Sequence, residues 1–182
     1  MFFLLRCSIF IANSLGYISK FICLVIFILF AFTKEKIAVI WSSFVLGVTV
    51  NGNSLIKIII DRVRPEGHRL PLFAHQTENS FASGHVTFYT TILGCLLFIV
   101  FKKLKSRIIK SMMGIIVFLI ISLVMLSRVL IGVHYPSDTI GSFLWSGAIL
   151  CFTFPLFSRF DRSVSWKQLA GYKRIKTTRG AS

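Results

Sequence analysis

Long apolar runs, separated by short polar connections, set the frame of this chain. Ile37 to Ile60, Ala82 to Phe101, Ser111 to Leu126 and Ser137 to Phe157 are almost continuously hydrophobic. Runs close to the roughly 18 residues needed to cross a hydrocarbon layer read as membrane-spanning helices. Ser14 to Phe32 is a further span, with Lys20 near its start able to snorkel toward the headgroups. Phe2 to Asn13 is apolar but short and interrupted by Arg6. It reads as a surface helix, a short first span or a signal-like leader. The expected fold is therefore all-α, a polytopic transmembrane helix bundle of about five to six spans. Within the run Ile37 to Ile60, Gly47 and the cluster Asn51, Gly52 and Asn53 break the apolar pattern. Small and polar residues inside a span are expected to face neighbouring helices.

Composition agrees: 55% of the 182 residues are hydrophobic and the mean hydropathy is +0.79. The formal net charge of +15 would suggest a nucleic-acid partner in a soluble protein. Here the positive charge lies in connections and a tail, as the positive-inside rule produces, so a bilayer is the expected partner and nucleic acid is not. Lys102, Lys103, Lys105, Arg107 and Lys110 fill one connection, and a basic tail runs from Arg159 to the end. The chain divides into a membrane domain over 1–158 and a basic cytoplasmic tail over 159–182. Both basic segments belong on the cytoplasmic side, with the small turn Thr33–Lys36. The connections Asp61–Phe81 and Ser127–Asp138 then face the opposite side, so Lys57, Arg62, Arg64, Arg69 and Arg128 sit where the rule disfavours cations. An anionic ligand is the simplest reason for them. Cys7, Cys23, Cys95 and Cys151 have no C-x-x-C spacing and read as small buried hydrophobes.

Three separated pieces on that face carry the chemistry. Lys57 and Arg64 are seven residues apart, so on a continuous helix both would point from one face, and Pro65 would end that helix. Ser83, Gly84 and His85 open a helix after a polar loop; free backbone N–H groups, a hydroxyl and a glycine permitting close approach make such a start an anion site, although taken alone an ordinary serine cap with a buried histidine is the commoner reading. In the third piece, Ser127 to Asp138, Pro136 starts the next helix at its first position and Asp138 falls in the first turn. From there Asp138 can reach back to His134, fixing one ring nitrogen as N–H and leaving the other as a lone pair. With Arg128 nearby this resembles a nucleophile or base facing an anion; the plainer reading is a capping Asp, a satisfied His and a snorkelling Arg.

Together, Lys57-x6-Arg64-Pro65, then Ser83-Gly84-His85, then Ser127-Arg128-x5-His134-x3-Asp138 resemble the three-part signature of the type 2 phosphatidic acid phosphatase family, whose superfamily also includes the vanadium haloperoxidases. The likeness runs from about Ser14 to Phe157 and matches about ten positions in order. Alanine stands at position 82, where the family usually has proline; it leaves that turn less rigid but removes no chemical group. The resemblance implies that His134 attacks phosphorus to form a phosphohistidine, with Asp138 holding its tautomer. It implies that His85 protonates the leaving oxygen and later activates water. Lys57, Arg64, Ser83, Gly84 and Arg128 would bind the phosphoryl oxygens. It implies no metal and no cofactor, and His68 and His75 match no motif position.

The resemblance implies an integral membrane phosphatase acting on lipid phosphates or diphosphates of the undecaprenyl diphosphate, phosphatidylglycerophosphate or phosphatidic acid type. It would lie in a bacterial cytoplasmic membrane with its site on the extracytoplasmic face. The competing expectations are a lipid phosphotransferase, a lipid A phosphatase, or a catalytically inactive phospholipid-binding membrane protein. A haloperoxidase is disfavoured by the apolar spans.

Overall fold

The computed structural model describes residues 36–65 and 79–179, the side chains of Lys36 and 161–179 excepted. The expected spans at Phe2–Asn13 and Ser14–Phe32, most of the Asp61–Phe81 connection with Arg69, His68 and His75, and the side chains of most of the tail lie outside the described residues. Four helices make up the described bundle: α1 (Lys36–Ile60), α2 (Gly84–Lys103), α3 (Arg107–Leu130) and α4 (Pro136–Arg179). Each contains a stretch long and apolar enough to cross a membrane, ending in α4 at Phe160. This is a helical membrane bundle, with four spans among the described residues against the five to six expected for the chain.

Large apolar side chains point outward, as a hydrocarbon solvent allows. Ile58, Ile59, Ile108 and Phe152 are each more than 70% exposed. Cys95 is buried but Cys151 faces outward, so the expectation of a buried thiol fails there. The interior relies on close approach and interhelical hydrogen bonds, because burying apolar surface gains little when lipid is the alternative. A Cβ on Gly52 would lie 2.5 Å from the Trp145 ring, and one on Gly94 would collide with Leu150, so these glycines let α1 and α2 close on α4. Across the middle, Thr87 Oγ1 donates to Asn53 Oδ1 at 2.8 Å and Ser146 Oγ to the Thr87 carbonyl at 3.3 Å. Asn53 thus packs inward as expected, whereas exposed Asn51 turns back on the Gly47 carbonyl of its own helix at 2.7 Å.

Helix α2 packs against all three others. Chain direction then puts the C-termini of α1 and α3 and the N-termini of α2 and α4 at one end. At the other end Trp41, Phe98, Phe154 and Phe157 form an aromatic cluster, with Trp41 stacked on Phe157 at 4.6 Å between centroids.

Several boundaries differ from the sequence expectation. Helix α3 runs through Leu130, so Arg128 belongs to its last turn and only 131–135 form the connection. Helix α1 stops at Ile60, because Asp61 takes a positive φ of 45°. Lys57 and Arg64 therefore do not share one continuous helical face. The backbone of α4 continues past Phe157 and Pro155 to Arg179.

Candidate active site

The connection 131–135 is built by local rules that place His134. Gly132 has φ 79°, which a side chain would strain, and ends α3 in a left-handed turn. Its N–H donates to the Val129 carbonyl at 2.9 Å and that of Val133 to the Arg128 carbonyl at 3.3 Å. This pair of reverse bonds closes a helix C-terminus and leaves few orphan carbonyls. Pro136 then starts α4, as expected. Asp138 Oδ2 accepts the Tyr135 backbone N–H at 2.9 Å, a carboxylate in the first turn reaching back to the residue that precedes the helix.

That bond uses the oxygen expected to hold His134. The Asp138 carboxylate is 3.7 Å from His134 Nδ1, too far for a hydrogen bond. The ring is oriented instead by the Ser80 carbonyl, 2.8 Å from Nδ1. A carbonyl only accepts, so Nδ1 carries the proton and Nε2 is a lone pair. Nε2 has no hydrogen-bond partner among the described residues. Burial holds the His134 pKa below its ordinary value; the nearby Arg64 guanidinium pushes the same way, while Asp138 and the Ser80 carbonyl pull it back up. The balance favours a neutral imidazole, the form with a lone pair to give.

The other pieces arrive through bonds between segments. Arg64, 6% exposed, donates from Nη1 to the Val133 carbonyl at 2.9 Å, tying the first piece beside the histidine. Asn53 Nδ2 donates to the Ala82 carbonyl at 3.3 Å, tying α1 to the start of α2. Arg128 is buried in the last turn of α3, where a cation suits the negative end of the helix dipole. Ser83 stands at the N-cap of α2, yet its hydroxyl makes no cap bond and is buried without a hydrogen-bond partner. Thr90 Oγ1 and, at the far end of the bundle, Trp41 Nε1 are likewise buried without a partner among the described residues. Gly84 is exposed, with open space where a Cβ would be, and lines with Lys57 a cleft of about 200 Å³ between α1 and α2. His85, half-buried, follows on the first turn of α2.

Three contributors escaped the sequence reading. Ser80 orients His134 through its backbone carbonyl, which leaves no mark on residue type. Asn79 bridges the Lys57 carbonyl at 3.1 Å and Asp61 Oδ1 at 2.8 Å, anchoring the turn that ends α1. Arg62 stood out only as a cation on the disfavoured side. Its Nη1 lies 2.8 Å from Asp138 Oδ1 and 2.7 Å from Ser137 Oγ, with the guanidinium 4.1 Å over the Tyr135 ring. Asp138 is thus held by Arg62 and the Tyr135 N–H, and acts on His134 as a nearby charge.

A family model described as the PAP2 superfamily matches residues 37–162, and the chain belongs to that superfamily. No curated protein matches it in sequence. Among solved structures it is similar to the transmembrane PAP2 type phosphatidylglycerolphosphate phosphatase from Bacillus subtilis. The TM-score is 0.70 at 30% identity, covering 89% of this chain and 78% of that one.

Proposed function

We propose that the chain is a membrane lipid phosphatase that releases phosphate through a phosphohistidine on His134. Family membership and the similar fold support a membrane lipid phosphatase. The observation that carries the mechanism is the His134 tautomer: Nδ1–H is committed to Ser80, so Nε2 is the free nucleophile. In the first half-reaction Nε2 attacks phosphorus, the P–N bond forms, and the P–O bond to the lipid breaks. His85 supplies the proton to the departing oxygen. The phosphorylated ring keeps its Nδ1–H and becomes cationic, a charge that the Ser80 carbonyl and Asp138 stabilise. In the second half-reaction His85 takes a proton from water, water oxygen attacks phosphorus, and the P–N bond breaks to free phosphate and neutral His134.

Lys57, Arg64, Arg128, the Ser83 hydroxyl and the Gly84 backbone N–H bind the phosphoryl oxygens. Fixed cations and dipoles aimed at developing charge do most of the work in phosphoryl transfer. The same arrangement does this without a bound metal. Bacterial phosphatidylglycerophosphate, phosphatidic acid and undecaprenyl diphosphate are the substrates of choice, hydrolysed at the extracytoplasmic face of the inner membrane. The basic Lys102–Lys110 connection marks the cytoplasmic face and supports that orientation, while Arg62, Arg64 and Arg128 stand at the site end against the rule because they serve an anionic substrate.

The test is phosphate release by purified full-length chain from a panel of those lipids, with chelator present. Turnover of at least one, lost in His134→Ala, is expected. No turnover of any lipid by the native chain, with tight binding retained, would instead favour a phospholipid-binding protein.

A further inference from the structure

A second lipid-sized feature lies at the end remote from His134. A groove of about 450 Å³ runs between the end of α2 and the start of α3. Arg107, Lys110, Gly114 and Phe118 recur at three- and four-residue intervals, so they share one face of α3, with Phe101 of α2 opposite. The polar residues are at one end of this face and the apolar ones at the other. Gly114 keeps the groove open: a Cβ there would meet only the tip of the Phe101 ring at 3.9 Å. The side chains of Arg107 and half-buried Lys110 make no hydrogen bond or ion pair among the described residues. The surrounding connection 102–110 holds five cations and no carboxylate. The described carboxylates, Asp61 and Asp138, are both at the site end.

We propose that this groove holds one anionic phospholipid, with its phosphodiester on Arg107 and Lys110 and an acyl chain along Gly114, Ile115 and Phe118. Basic pockets between spans at a headgroup surface bind such lipids, and a volume of this size matches ordinary ligand sites. The bound lipid is not substrate. Helix α2 alone, at 20 residues, separates the two ends by roughly 30 Å, so a headgroup on Arg107 cannot reach His134. The lipid is a resident of the opposite leaflet that completes the charge and packing of the α2–α3 hairpin.

The test uses phosphatidylglycerol and phosphatidylcholine as probes, with native mass spectrometry of the purified full chain to count lipids retained. One phosphatidylglycerol should survive in preference to phosphatidylcholine. Arg107→Gln with Lys110→Gln should weaken its retention roughly tenfold or more, given the attraction each cation supplies near an anionic headgroup. Lys103→Gln with Lys105→Gln removes the same charge outside the groove and should change retention roughly twofold or less, as screened surface charges do. Gly114→Leu keeps every charge and should expel the lipid by filling the groove, with circular dichroism verifying the fold. Equal loss in the two charge pairs, no preference for the anionic lipid, or full retention in Gly114→Leu would overturn the proposal.

Discussion

At the end where α1 and α3 finish, the interior is polar and almost every group is spoken for: Arg62 on Asp138, Arg64 on Val133, His134 on Ser80, Asn79 on Lys57. At the opposite end the interior is Trp41, Phe98, Phe154 and Phe157, with Trp41 Nε1 buried without a hydrogen-bond partner among the described residues, and the basic Lys102, Lys103, Lys105 and Arg107 are exposed. The same four helices pass through both. Buried polar groups cost several kcal/mol each when unpaired, so the first end stays folded only through specific bonds. The Ser83 hydroxyl and His134 Nε2 are among the groups at this end left without a hydrogen-bond partner among the described residues. The second end is held chiefly by packing, with aromatic stacking of Trp41 on Phe157 and Phe98 on Phe154.

This contrast predicts that damage at the site end costs function as well as stability, while damage at the aromatic end costs stability alone. Arg64→Ala or Arg128→Ala should cut kcat by on the order of a hundred- to a thousandfold, as loss of a positioned charge donor does. Trp41→Ala should instead lower unfolding stability by about 3 kcal/mol, as large core truncations do, and leave kcat within a few-fold. Detergent-solubilised turnover and thermal unfolding, measured on the same samples, check both; matching effects at both ends would break the comparison.

A sharper cut concerns how Asp138 is held. Arg62→Ala should lower kcat by roughly tenfold, the scale of one charge-assisted hydrogen bond, with little change in KM. Arg62→Lys should recover part of this, because lysine keeps the charge but not the bridge between Asp138 and Ser137.

The acidity profile follows from His134. Burial and Arg64 disfavour its protonated form, so the nucleophile stays neutral below its ordinary pKa. The acid limb of kcat/KM should therefore fall below pH of about 6.5. Arg64→Gln removes a neighbouring cation and should move that limb upward, whereas Asp138→Asn removes a stabiliser of imidazolium and should move it downward. Shifts of the same sign in both would contradict the charge assignment. The smallest expected effect is at Gly132, where alanine at positive φ should cost about 1 kcal/mol of stability, measured by thermal unfolding.

The apolar runs made the helical bundle legible, since a bilayer core admits few alternatives to helices. The spacing of Lys57, Arg64, Ser83, His85, Arg128, His134 and Asp138 made the candidate site residues legible as well. Their exact bonding was not. Ser80 acts through a carbonyl that any residue would offer. The divergence of Lys57 and Arg64 depends on a left-handed Asp61, held by Asn79 from 18 positions away. Asp138 was expected to bond His134 because they are four residues apart, but the Tyr135 N–H and Arg62 occupy its oxygens. Local spacing located these groups, and tertiary contacts chose their partners.

The most direct measurement of the central claim is covalent labelling of His134. Brief incubation with a lipid bearing labelled phosphate, stopped in alkali, should leave base-stable and acid-labile phosphate on the protein. Peptide mapping should place it on His134, at Nε2, and His134→Ala should remove both label and turnover. His85→Ala should slow turnover yet still accumulate label with a substrate whose leaving group needs little protonation. Near-normal turnover in His134→Ala, or no label despite rapid turnover and quenching, would contradict the account and make direct attack by water the mechanism.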